Sequence, residues 1–273
     1  MPTKQPDLIH SYVEYVQFRN QSIGTGVVNL KSRKWLNSTT VLLLAFLKSE
    51  SGCQLVSNGD SDAKSYLDQM VADPKWWREK RKLQLNSRSS YIPFSELPED
   101  EEDFKALFTR ATELIKSYKS VGGESAFKHV LSELTDNIYQ HSQFEKSFMM
   151  CQAYEKKGYV ELSFIDDGIS IPGNFEDHDI KFDEDAIAIS LAVDGQSTKD
   201  LVERGTGLGS SLRIYCEGAG AEAMIVSRKG AYYRKLQEST LYHLNDEQKF
   251  HGTLISIRIP VLQADIEYTK YIG

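Results

Sequence analysis

The chain has 273 residues, 40% of them hydrophobic and 26% charged, with 32 Lys and Arg against 39 Asp and Glu for a formal net charge of −7. That acidic balance, without a long lysine or arginine block, lacks the electrostatic footprint of a nucleic-acid binder; the longest apolar run, Val41 to Leu47, is too short to span a bilayer. The length supports one large or two moderate cores, the N-terminus lacks the apolar segment of a signal peptide, and Cys53, Cys151 and Cys216 are too scattered for a zinc site or redox couple, so a reducing cytoplasm is expected.

In chain order, Thr25 to Leu30 reads as a strand, Thr39 to Lys48 as an apolar helix, Cys53 to Ser57 as a second strand and Ala63 to Val71 as a second helix. This β-α-β-α unit over residues 1–85, with Asn29-Leu30, Trp35 to Thr40 ahead of the helix and Tyr66 to Met70 later, is similar to a STAS domain, the fold of anti-sigma-factor antagonists. The resemblance puts Ser38 in the place of a serine phosphorylated by a partner kinase, although Asn37 stands where an aspartate is usual and Thr40 where a glycine is usual. The simpler reading is that Ser38 or Thr39 caps the helix. Trp76-Trp77, beside several basic residues, is expected to pack between units. Residues 86–103, with a serine cluster, Pro93, Pro98 and the acidic run Glu99 to Asp103, read as a linker to a second unit, 104–273.

In that second unit, Phe127, Val130, Leu131, Leu134 and Ile138 recur at helical spacing. At about 100° per residue, Glu133, Asn137 and His141 form a neighbouring stripe. A carboxylate there suits a general base, and an amide oxygen one turn later suits a hard cation. Tyr159 to Ile165 alternates like a strand and breaks at Asp166-Asp167-Gly168-Ile169-Ser170, which puts a carboxylate at a strand end. The acidic run Glu176-Asp177-His178-Asp179 and Asp183 to Asp185 reads as a solvated lid, not a metal cluster. Farther on, Arg204-Gly205-Thr206-Gly207-Leu208-Gly209 feeds a helix, and free N–H groups at a helix start suit phosphate. It is not a Rossmann fingerprint, because Lys199 to Arg204 is charged and not strand-like, and no Gly-Lys-Ser/Thr follows for a Walker loop.

Residues from about 105 to 262 resemble the GHKL ATP-binding domain of gyrase, heat-shock chaperone, histidine kinase and mismatch-repair proteins, on the strength of these three blocks and of His251-Gly252-Thr253 opening a last strand. The resemblance implies an α/β fold: a Bergerat sandwich, with a mixed sheet covered on one face by helices, following the small STAS-like unit. It implies ATP and Mg²⁺ as cofactors. By matching position, Glu133 is the general base, Asn137 the Mg²⁺ ligand, Asp166 the adenine-binding aspartate with Gly168 beside it, and Gly205, Gly207 and Gly209 wrap the phosphates with Thr206 and Leu208 between them. Ser170 departs from the usual second glycine of its box, Thr253 lies in the last block, and Lys199 is positioned to reach a γ-phosphate.

Three functions are compatible with such a site. The first is a regulatory Ser/Thr kinase or ATP-dependent switch of the anti-sigma-factor type, acting on a protein partner. The second is an ATP-hydrolysing clamp that closes as a homodimer; the chain's end at Gly273, soon after Pro260, is expected to leave no room for the transducer domain such clamps carry. The third is a non-catalytic module whose partner affinity changes with nucleotide. A histidine kinase is disfavoured because neither His10 nor His129 sits in a phosphoacceptor hairpin pattern.

Overall fold

Strand alternation organises the molecule. In Tyr159–Asp166 the side chains of Val160, Leu162 and Phe164 point to one face and those of Glu161, Ser163 and Ile165 to the other, yet every one of the eight residues is buried. A strand buried on both sides needs two covering layers. The computed structural model, which describes residues 7–30, 33–57, 62–71, 73–75, 90–117, 121–195, 207–262 and 264–272, supplies both.

The elements in chain order are α1 (Leu8–Ser22), β1 (Val27–Asn29), α2 (Ser38–Ser51), β2 (Gln54–Val56), α3 (Asp62–Met70), β3 (Tyr91–Glu96), α4 (Glu101–Ser117), α5 (Glu124–His141), β4 (Ser147–Tyr154), β5 (Tyr159–Asp166), α6 (Ser170–Asp177), α7 (Asp185–Val193), α8 (Leu208–Leu212), β6 (Glu222–Arg228), β7 (Gly230–Lys235), β8 (Glu238–His243) and β9 (Phe250–Pro260). The protein is α/β in class. Its seven-stranded sheet has the order β3-β4-β5-β9-β6-β7-β8, and every neighbouring pair is antiparallel. The expected mixed sheet is thus corrected. Strands β5 and β6 do run parallel, as a crossover through α6 to α8 requires, but β9 inserts between them and pairs antiparallel with each.

On the first face, the apolar stripe of α5 meets Val160, Leu162 and Phe164 of β5 and Ile255, Ile257 and Ile259 of β9, and residues of α4 and α7 complete that core. On the second face, Phe148, Met150, Ile165, Met224, Val226 and Leu254 join Tyr12 and Tyr15 of α1 and Leu42 to Phe46 of α2. Coverage of one face, as the family resemblance implied, is replaced by coverage of both. Helix α2 lies between α1 and strands β4 and β5, which explains its unbroken apolar run: all of Val41 to Leu47 is buried, and a helix enclosed on every side has no polar stripe. Burial of each such leucine contributes roughly 2 kcal/mol.

Strands β1 and β2 pair in parallel with α2 as their crossover, so the β-α-β-α order over the first unit is as expected. Helix α1, ahead of it, is an addition. The segment read as a linker contains strand β3 and the start of α4. Pro93 falls at an irregularity of an edge strand, between Ile92 and Ser95, where its missing N–H breaks no regular ladder, and Glu101, Glu102 and Asp103 of the acidic run lie in the first turn of α4, favoured by the helix dipole. Trp76, Trp77 and residues 86–89 lie outside the described residues.

Candidate functional site

Helix α5 packs its apolar face into the first core and leaves Glu133 and Asn137 part-buried on its flank. Nδ2 of Asn137 is buried and has no hydrogen-bond partner among the described residues. A buried amide nitrogen without a partner costs about 1–3 kcal/mol, and a half-turn of the amide places its oxygen there instead. The helix ends at Ser142, whose N–H donates to the Ile138 carbonyl at 3.1 Å.

This helix end is locked to the strand-end turn. Ile169 N–H donates to the Ser142 carbonyl at 2.7 Å, and a Cβ on Gly168 would lie 2.0 Å from the same oxygen, so only glycine fits there. Asp166 closes β5, is 3% exposed and accepts from the Gly168 N–H at 2.9 Å through Oδ1. Burial raises its pKa to about 7, against the opposing pull of the Gly168 and Thr253 N–H groups and with help from the Asp167 charge. Asp167 serves the backbone instead, since its Oδ1 accepts from the N–H groups of Glu145 and Lys146 and fixes the turn into β4.

Asp166 pairs across the ladder with Thr253 of β9. Gly252 before it has φ +85° and comes so close that a Cβ would meet the Asp166 carbonyl at 1.9 Å. Ser227, at the end of β6, was not singled out from the sequence: its Oγ donates to the Gly252 carbonyl at 3.0 Å, lies 3.1 Å from Thr253 Oγ1 and accepts from Ile171 N–H at 3.0 Å. A lone serine at a strand end carries no spacing signal. Ser170 has φ +77°, the left-handed conformation that favours the glycine it replaces, and its Oγ accepts from Gly173 N–H at 3.1 Å. The departure in sequence therefore preserves a glycine-like backbone.

The third block reaches the flank of α5. At Gly207 a Cβ would lie 3.8 Å from the Glu133 carboxylate, Leu208 opens α8 and packs against the first core, and Gly209 approaches the Val193 carbonyl of α7 so closely that a Cβ would sit 2.1 Å away. Glu133 and Gly207 are thus brought together, as are Asp166, Gly168 and Thr253, with Ser142 joining the two groups through α5. Lys199, Gly205 and Thr206 lie outside the described residues. His141 contributes its carbonyl, which accepts from Asn174 Nδ2 at 3.1 Å.

The acidic run is dispersed over separate partners. Glu176 pairs with Arg228 at 2.7 Å, which lowers its pKa, Glu184 meets His243 at 2.7 Å, and Asp185 accepts from Lys229 N–H at 2.9 Å. Among the described residues no group of three or more His, Cys, Asp or Glu side chains could hold a metal ion. No helix among them is long and apolar enough to cross a membrane.

A second polar constellation, on the other face of the sheet, was missed by sequence reasoning. The Glu161 carboxylate, fully buried, accepts at Oε1 from Ser38 Oγ (2.8 Å), Thr39 N–H (2.8 Å) and Thr39 Oγ1 (2.7 Å), while its Oε2 accepts from Arg258 Nε at 2.9 Å. Arg258 Nη1 donates to Glu222 at 2.6 Å. Ser38, which the STAS resemblance put in the place of a phosphorylated serine, is fully buried at the start of α2 with its hydroxyl committed to a carboxylate. In this conformation no kinase reaches it.

Compared with protein-family models and with curated protein sequences, the chain matches none.

Proposed function

We propose that residues 104–273 form a Mg-ATP site of the GHKL type and that the protein is a regulatory Ser/Thr kinase or ATP-dependent switch acting on a protein partner, with the STAS-like unit of residues 1–85 docked on the sheet. The observation that carries this reading is Asp166: a buried carboxylate at a strand end, one oxygen held by Gly168 N–H, its pKa raised to about 7 by burial, so that a further donor would favour its ionised form. An exocyclic amino group is such a donor, and a guanine carbonyl in its place would be repelled by the ionised form. The orphaned amide of Asn137 supports a cation-ligand role, and the proximity of Gly207 to Glu133 supports a phosphate loop closing beside a base. The two-domain STAS and Bergerat reading rests on the β-α-β-α order and on the three motif blocks.

In this proposal Asp166 reads the base, Asn137 holds the metal, the N–H groups at the start of α8 face the phosphates, and Glu133 orients or deprotonates the acceptor hydroxyl. Bound Mg²⁺ would supply charge neutralisation on the phosphates. Calorimetry with ATP and MgCl₂ tests the binding step: saturable binding is expected, weakened at least tenfold by Asp166→Asn, with GTP inert. Incubation with γ-labelled ATP and candidate partners then tests transfer, where label on protein that disappears in Glu133→Ala supports the kinase form. Release of free phosphate alone points to hydrolysis. Equal binding of ATP by the parent and Asp166→Asn overturns the reading.

A further inference from the structure

A cleft of about 790 Å³ opens at the far end of the sheet, between the start of α1, the β4–β5 hairpin and the ends of β7 and β9. Tyr159, which lines it, pairs with Pro260 at the opposite end of the β5–β9 ladder from the Asp166–Thr253 pair, roughly 23 Å away at strand spacing. The volume suits a small metabolite.

The polar groups that line the cleft are mostly donors. Asp7 caps α1 through one carboxylate oxygen, which accepts from His10 N–H at 2.9 Å. Glu222 is spent between Arg258 Nη1 and the Tyr233 hydroxyl, each at 2.6 Å. Lys157 and Lys235 remain, and among the described residues neither has a carboxylate within ion-pair distance. Tyr159 is only 4% exposed, and its hydroxyl is buried with no hydrogen-bond partner among the described residues. A buried phenol at the wall of a cleft, unpartnered, costs stability unless something fills that place. Burial and the nearby Arg258 charge lower the pKa of Lys157, so this corner disfavours additional positive charge.

We infer that this cleft is a binding site for a small organic anion, a di- or tricarboxylate or a phosphate ester, held by the ammonium groups of Lys157 and Lys235 and by the hydroxyl of Tyr159. The cleft and its groups stand independently of the nucleotide reading. Lys157 and Lys235 bring positive charge and Tyr159 an unpartnered hydroxyl, so a ligand rich in acceptors and carrying negative charge fits them.

Trp35 provides a reporter, because Lys157 Nζ sits 3.7 Å from the centre of its ring and any pull on the ammonium alters the indole's surroundings. The full chain is titrated with citrate and, in a separate arm, with glycerol 3-phosphate, at ionic strength held constant with sodium chloride and followed by tryptophan fluorescence. The expected result is a saturable change with at least one of the two, lost in Trp35→Phe and shifted to at least tenfold higher concentration in the Lys157→Gln/Lys235→Gln double variant. Tyr159→Phe is expected to weaken binding about fivefold, and Asp166→Asn is expected to leave the curve in place. No saturable change up to 10 mM with either anion, measured by fluorescence and by calorimetry (a range set by the ~4 kcal/mol of millimolar affinity), overturns the inference. So does an unaltered curve in the double variant.

Discussion

Asp166 sets a pH dependence that only its own removal can erase. Its folded pKa of about 7 lies above the ordinary aspartate value of 3.8, so between those two values the folded chain holds a proton that the unfolded chain has released. Stability therefore falls as pH rises through this window, the reverse of a salt-bridged aspartate, by an amount on the order of 4 kcal/mol at most. Urea midpoints at pH 4.5 and pH 8 are expected to show a larger loss in the parent than in Asp166→Asn, and equal losses would refute the assignment. In the proposed nucleotide site, donation from an adenine amino group to this carboxylate is expected to release a proton near neutral pH. This aspartate was legible in the sequence because an alternating strand stopped at a carboxylate and a glycine turn. Ser227 and the orphaned state of Asn137 were not, since they depend on which strand ends meet, and a one-dimensional pattern holds no record of β9 inserting between β5 and β6.

Helix α2 is fastened by its first turn. The Glu161 carboxylate takes the place of a capping side chain, accepting from the Thr39 N–H, and the same group is neutralised by Arg258 within a buried polar cluster that includes Ser163 and Ser256. Removal of Glu161 takes the acceptor from Ser38, Thr39 and Arg258 at once and leaves Arg258 paired with Glu222 alone, at a cost of up to about 3–5 kcal/mol. Glu161→Ala is thus expected to lower the urea midpoint sharply, while Glu113→Ala, which breaks the exposed pair with Arg110, is expected to leave it nearly unchanged. Comparable effects from the two would show that the buried network contributes no special fastening. The sequence displayed α2 by its apolar run and β5 by its alternation, but alternation misleads here: Glu161 and Ser163 occupy positions that read as solvent-facing and instead meet a second layer. Helix α1 escaped detection because its buried face includes Ser11 and Glu14, which erase the apolar period.

At the scale of the molecule, the division into two units in the sequence sits beside a core that the two units share. Phe148, Met150, Ile165, Met224, Val226 and Leu254 belong to the sheet but are buried together with α1 and α2, so a chain beginning at residue 104 would expose that whole face, well beyond the apolar patch a monomer normally tolerates. Two separately folding domains would melt in two steps; a shared core couples them into one. Trp35 precedes α2, whereas far-UV circular dichroism weighs helices and strands from both layers. The two signals are therefore expected to give coincident urea transitions in the full chain, and a fragment of residues 104–273 is expected to elute as aggregate in size-exclusion chromatography. A fluorescence transition at clearly lower urea than the dichroism transition, together with a monomeric and cooperatively unfolding fragment, would establish instead that the sheet is stable without its second layer. In that case the Glu161 and Arg258 contacts would be a docking surface between two independent domains. The coincident outcome makes α1 and α2 part of the scaffold that holds Asp166 at its strand end, since Ile165, the residue before it, is packed from that side.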